Sequence, residues 1–274
     1  MNSLTATAAR RLPAPWVWAA GLLLLLYAAA LWGGSVASAQ WLGQLSLHGQ
    51  VQAHAHGQPF ADARAWLGLP NAADTLSNLP FLLLALWGWQ GLRRRPLPAA
   101  QRLCLHVFFT GLLLTAGGSS LYHLDPGAWT LVFDRLGMAV AFAGLLALAS
   151  SERLGEAAAR AVLCASLPMA LLAALLPALA QNLMPWLVVQ FGGIAWVLAM
   201  ALRRPVAGAL GVRLGAVIAW YALAKVLEGL DGAVFAASAE WVSGHSLKHL
   251  AAAAAALPVL AALHTRRPGG DHAI

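Results

Sequence analysis

Long apolar runs separated by short polar breaks make up the pattern of this chain. A helix needs about 17–25 such residues to cross about 30 Å of hydrocarbon. Runs of that kind recur at residues 15–32, 74–92, 101–122, 129–149, 160–180, 183–202, from 213 onward, and at 244–264. The elements they predict are eight transmembrane helices forming an all-α, polytopic membrane bundle. Each break reads as a terminator: Arg93-Arg94-Arg95-Pro96, Asp125-Pro126-Gly127, Ser151-Glu152-Arg153, Gln181-Asn182 and Arg203-Arg204-Pro205. Clustered charge and proline both oppose the continuation of an apolar helix. No internal repeat is visible, which argues against a transporter built from inverted halves.

The first run has a second reading. Arg10 and Arg11 precede it, and the small-residue stretch Val36-Ala37-Ser38-Ala39 follows, as in a cleaved signal peptide. The apolar part exceeds the roughly 7–15 residues usual for such peptides, so residues 1–39 are expected to keep a transmembrane helix. Residues 40–73 are less apolar and are expected to lie outside the bilayer. They carry His48, His54, His56, Asp62 and Arg64, and the His-x-His pair reads as solvated side chains in a mobile loop. Asp62, Asn71 and Asp74 offer oxygen atoms to calcium, but their spacing matches no calcium loop. Residues 74–265 form the membrane domain, and 266–274 a cytoplasmic tail.

Composition sharpens this picture in two ways. Apolar residues make up 60% of the 274 and charged residues 10%, which excludes an ordinary soluble domain. The formal charge of +7 does not point to nucleic acid, because the arginines fall at the ends of apolar segments. With Arg10 and Arg11 on the cytoplasmic side, alternation places all remaining arginines except Arg64 and Arg135 on that side too, as the positive-inside rule requires. A bacterial inner membrane suits this arrangement. His123, Asp134 and His245 then all lie at the extracytoplasmic level. Cys104 and Cys164 match no paired metal spacing and read as small core residues.

Polar groups inside apolar spans are costly unless paired or bound, so they mark candidate sites. His245 and His249 are four residues apart and share a helical face, as do Ser119 and His123. Three neutral imidazoles would leave a tetrahedral zinc with one open position for water, the arrangement of a catalytic site. Ser246 stands where the usual zinc-binding helix has a glutamate, and Lys248 is no base beside a dication. Asp134 is therefore the candidate general base, with Ser119 positioned to assist and Tyr122 as a weaker second. Asn78 is expected to face neighbouring helices. Lys225, Glu228 and Asp231 recur at spacings of three and are read as mutually neutralising, or as orienting the histidines. His106 and His264 read as packing residues.

These residues resemble three motifs of the alkaline ceramidase family, within the CREST superfamily of seven-helix membrane hydrolases. Thr75-Leu76-Ser77-Asn78-Leu79-Pro80-Phe81 is similar to the family's Asn-Thr-x-Ser-Asn segment, with Asp74 in place of the first Asn. Gly118-Ser119-Ser120-Leu121-Tyr122-His123, then Asp134 and Met138, resemble Gly-Ser-x-x-Phe-His and the following Asp-x-x-x-Met. His245 and His249 match the paired histidines of the last motif. The resemblance implies a seven-helix core preceded by one added helix, and zinc held by His123, His245 and His249. It also implies that Ser119 and Asp134 lie beside the zinc's water, and that a ceramide or related N-acyl lipid is hydrolysed to a fatty acid and an amine. Three departures stand out. The acidic calcium-binding segment is not recognisable, Arg135 and Gly137 replace Glu and Pro, and Ser246-Leu247-Lys248 replaces a Trp-containing spacer. The alternative from a different class is a receptor or lipid-binding protein of the adiponectin-receptor kind with a structural zinc.

Overall fold

The structure is a computed structural model that describes residues 15–37 and 60–265. The expectations for Arg10, Arg11, the small-residue stretch at Ser38 and Ala39, His48, His54, His56 and the tail from Arg266 lie outside the described residues. The helices, in chain order, are α1 (Pro15–Ala37), α2 (Ala72–Leu76), α3 (Leu79–Arg94), α4 (Ala99–Leu124), α5 (Ala128–Leu154) and α6 (Glu156–Ala180). They continue with α7 (Met184–Ala201), α8 (Leu214–Gly229), α9 (Asp231–Ala237), α10 (Gly244–Ala254) and α11 (Leu257–His264). Among the described residues, six segments are long and apolar enough to cross a membrane: α1, α4, α5, α6, α7, and α10 with α11 taken together. The chain is an all-α, multi-pass membrane protein.

The two remaining expected spans are shorter helices, and proline accounts for one of them. The run expected at 74–92 breaks at Ser77 and Asn78, because Pro80 in the first turn of α3 has no N–H to offer the preceding turn. The last span breaks at Ala255 and Ala256 for the same reason, with Pro258 opening α11. Helices α3 and α8 have 16 residues each, about 24 Å of rise.

Helices α3, α4, α5, α7, α8 and the α10–α11 rod close a ring, each packed on the next. Helix α6 lies on the outside of α5, and α1 lies against α7. The tightest contact is α4 on α5, and glycine makes it possible. A Cβ at Gly111 would strike the Ala141 backbone, one at Gly118 the Phe133 carbonyl, one at Gly137 the Thr115 amide, and one at Gly144 the Phe108 amide. Small residues alternating across an antiparallel pair let the backbones touch. This fixes the register that puts Ser119 beside Asp134.

The largest buried side chains, among them Leu92, Leu105, Leu148, Met200, Leu214 and Leu260, cluster at the arginine-rich ends of the helices. The opposite ends are left for polar groups. Glu152 locks the arginine-rich end. It is fully buried and its carboxylate accepts from the amides of Leu210, Gly211 (2.7 Å) and Val212 (2.8 Å) and from Gln101 Nε2 (3.3 Å). Read in the sequence as part of a terminating charge cluster, it is an internal tie that holds the loop before α8. Arg95, read as a topology signal, also closes the last helix by donating to the carbonyls of Ala262 (2.7 Å), Leu263 (2.8 Å) and Thr265 (3.1 Å).

Helix α1 is exposed along most of its length, yet it is attached by specific contacts. The Tyr27 hydroxyl donates to the Met169 carbonyl (2.6 Å), and Asn182 Nδ2 donates to the Ala30 carbonyl (3.0 Å) beside Gly34. Two packing expectations need correction. Cys104 is buried, but Cys164 is exposed on α6. His264 packs against Trp87, with ring centroids 5.1 Å apart, whereas His106 points out of the bundle. In both cases the local apolar stripe does not reveal which face of a uniformly apolar helix turns inward.

Candidate metal centre

Two helix ends meet at the centre. His123 is in the last turn of α4, and His245 and His249 occupy the first two turns of α10. All three are at most 5% exposed. Their ring centroids are 4.9, 5.0 and 4.8 Å apart, and each offers a nitrogen within 4.8 Å of the others. Helix α10 begins here for identifiable reasons. Ser243 accepts from the Ser246 amide as the N-cap, and Asp231 Oδ1 accepts from the His245 amide at 2.8 Å. A carboxylate and a hydroxyl at a helix start satisfy amides that the helix itself leaves open.

One imidazole has its tautomer set by neighbours. The Ser77 hydroxyl donates to the Asp74 carbonyl at 2.9 Å, so its oxygen is left to accept from His249 Nδ1 at 2.8 Å. The proton on Nδ1 leaves the Nε2 lone pair for a metal. Phe60 covers the cluster, its ring 4.7 Å from that of His123 and 5.3 Å from that of His245. Asn71 Nδ2 donates to the His123 carbonyl at 2.8 Å, tying the segment before α2 to the end of α4.

Asp74 brings negative charge to the same corner. Its carboxylate is fully buried, and Oδ1 accepts from Ser246 Oγ (2.6 Å) and Ser243 Oγ (3.1 Å). Its Oδ2 and the Oδ1 of buried Asn78 have no hydrogen-bond partner among the described residues. Negative oxygen near three imidazoles favours a cation between them. The donor set fits a metal: neutral nitrogens from three buried side chains, one of them oriented by a second hydrogen bond. Imidazole donors suit several divalent metals, zinc among them.

The remaining sequence candidates divide. Ser119 is buried on the same face of α4 as His123 and hydrogen-bonds Asp134 across the α4–α5 contact. Tyr122 is buried and edge-on to Phe60, with its ring centroid 5.3 Å from that of His123, so it forms part of the wall. Asn78 sits at the α2–α3 break and donates to the Asp74 carbonyl at 3.0 Å. Lys225 and Glu228 do pair, at 2.7 Å, but their third partner is Lys248 at 3.3 Å. Asp231 leaves that network because α8 ends at Gly229, and the chain turns before Asp231 opens α9. It serves the centre by capping α10 and by accepting from the Ala61 amide at 3.3 Å.

The three oxygen-bearing residues weighed for calcium each have other partners. Asp62 pairs with Arg64 at 2.6 Å, Asn71 serves His123, and Asp74 serves the two serines. The Arg64 side-chain hydrogen bond holds the Asp62 carboxyl below its ordinary range, despite the opposing effect of burial.

Ser77, Asp74, Ser243 and Phe60 escaped the sequence reading as parts of the centre. Ser77 and Asp74 lay within or beside a recognised segment. Their partners are about 170 residues away in the chain, as in the Ser77–His249 pair at a separation of 172. The fold and the centre together define a multi-pass helical membrane protein whose buried histidine triad can hold a metal ion. Comparison with known proteins adds no relative: no family model matches the chain, and neither a curated protein nor a solved structure does so significantly.

Proposed function

We propose that the chain is a zinc-dependent membrane amidase that hydrolyses ceramide or a related N-acyl lipid to a fatty acid and an amine. The observation that carries this reading is the convergence of His123, His245 and His249 from two helix ends, with Ser119 and Asp134 adjoining on α4 and α5. The resemblance to alkaline ceramidases supports the same assignment. Zinc, when bound, supplies Lewis acidity and lowers the pKa of a water from about 15.7 to near 7. Asp134 accepts the proton of the attacking water and returns it to the leaving nitrogen. Ser119, hydrogen-bonded to Asp134, holds that carboxylate in place. Phe60 and Tyr122 exclude bulk water and strengthen every charge interaction inside. The active site faces the extracytoplasmic side, and the acyl chain enters from the membrane.

A second reading, a closed structural metal centre in a receptor or lipid-binding protein, draws on the Phe60 ring lying over two of the histidines. Release of free fatty acid from a panel of ceramides and other N-acyl lipids distinguishes the two. Release that His249→Ala abolishes supports the amidase. No release from any lipid, by protein shown to contain zinc, refutes it.

A further inference from the structure

Beside the centre, three charged side chains cluster: Lys225 and Glu228 in the last turns of α8, and Lys248 in the second turn of α10. Tyr221, Lys225 and Glu228 share one face of α8 at helical spacing. That face turns toward α5, since the Tyr221 ring meets Phe142 edge-on with centroids 5.4 Å apart. Lys225 also lies over the Tyr221 ring at 5.8 Å. From the arginine-rich start of α8, Lys225 and Glu228 lie about 16 and 21 Å along the helix, in the half of the bundle that holds the histidines. Their side chains are 37% and 38% exposed, and that of Lys248 on α10 is 19% exposed. Charges this close to a buried centre mark a path for polar ligand groups.

The pairing within the cluster is uneven. Glu228 bonds Lys225 at 2.7 Å and Lys248 at 3.3 Å. One carboxylate is thus shared by two ammonium groups, and the looser partner is the residue next to ligand His249. An ammonium has three N–H donors, and the Glu228 contact engages one. Asp134, across on α5, is within electrostatic reach of both Lys248 and Glu228. Lys248 is therefore bonded to the charged face of α8 while within electrostatic reach of the general-base carboxylate. With one 3.3 Å bond to Glu228, the Lys248 ammonium keeps donors for a further single charge, which suits a monoanionic carboxylate better than a phosphate, whose recognition favours arginine forks.

We infer that Lys248 binds a carboxylate on the amine side of the scissile amide, so that the substrates taken in preference are N-acyl amino acids. This rests on the amidase reading for the reaction, though the anion site itself can be tested without turnover. Full-length, zinc-loaded protein in detergent micelles is assayed with N-palmitoylglycine and with its neutral counterpart N-palmitoylglycinamide. The ratio of kcat/KM, acid over neutral, is expected to be about tenfold or more, the usual scale of one charged hydrogen bond. Lys248→Met brings the ratio near one, and Lys248→Arg retains the preference.

Binding of the uncleavable N-(hexadecylsulfonyl)glycine to metal-free protein gives the independent readout. The dissociation constant rises about tenfold in Lys248→Met and changes little in Lys248→Arg. Hydrolysis of both amides with a ratio that Lys248→Met does not change overturns the carboxylate site and leaves the amidase standing. No release from either amide or from ceramide refutes the amidase. The binding arm then decides the site alone: a tenfold loss in Lys248→Met upholds it, and an unchanged constant overturns it.

Discussion

Replacing Ser77 with alanine tests how the centre sets the state of one ligand. With a metal on Nε2, His249 must carry its proton on Nδ1, and Ser77 Oγ is the oxygen 2.8 Å from it. Without a metal, the imidazole can shift its proton to the other nitrogen. The cost of Ser77→Ala therefore falls on the metal-bound form and appears as lost affinity. A buried donor left unsatisfied costs about 1–3 kcal/mol, or roughly 5- to 150-fold. The same substitution frees the Asp74 carbonyl, which Ser77 occupies at 2.9 Å, to accept from the imidazole instead. That recovery places the expected loss of zinc affinity at the lower end, about tenfold, within the range of about 10–100-fold seen for partners of metal-bound histidines. Competition against a zinc chelator of known affinity, in detergent, reads it directly. Unchanged affinity with intact fold would refute the role of Ser77 in holding the Nδ1 proton.

Other substitutions separate the parts of the site. His123→Ala, His245→Ala and His249→Ala should each lose zinc on purification, as measured by elemental analysis. Asp134→Ala should keep zinc and lose at least about 100-fold in turnover, the scale of a general base; full activity would remove Asp134 from that role. Glu152→Ala strands the buried amides of Leu210 and Val212 and opens the loop before α8. It should cost about 3 kcal/mol, seen as a lower melting temperature in micelles with zinc content unchanged. For Asp62, the folded carboxyl titrates below its unfolded value, so its stabilisation is complete above the ordinary carboxylate range, near pH 4. It is lost as pH falls through the depressed value. Limited proteolysis around residues 60–71 should accelerate on acidification below that range in wild type, and Asp62→Asn should be equally susceptible at every pH.

Much of this molecule was legible from period and residue type. Uniform apolar runs located the membrane-length helices among the described residues to within a few residues at most ends, while two of the eight expected spans are shorter helices and the last one breaks at Ala255 and Ala256. The i, i+4 histidine pair and the isolated His123 identified the centre, because such groups are rare in apolar spans. What was not legible depended on contacts made across long sequence separations or on helix orientation. Glu152 resembled a surface terminator until the loop at Leu210–Val212 was seen folded over it. Cys164 and His106 sit on helices apolar all round, where no stripe marks the inner face. Asp231 continued a spacing of three on paper, but the end of α8 at Gly229 broke the spacing in space.

The ties around the centre converge on one short stretch. Phe60 covers His123 and His245, the Ala61 amide bonds the carboxylate that caps α10, Asn71 holds the end of α4, and Ser77 orients His249. Residues 60–78 thus touch all three histidines, although none of those histidines lies within them. The two helix ends that carry the ligands share little direct contact, so this stretch fixes their relative position. Metal affinity in this fold is accordingly a property of the segment as much as of the ligands. A substitution such as Asn71→Ala, which touches no imidazole, should weaken zinc binding by loosening α4 against α10.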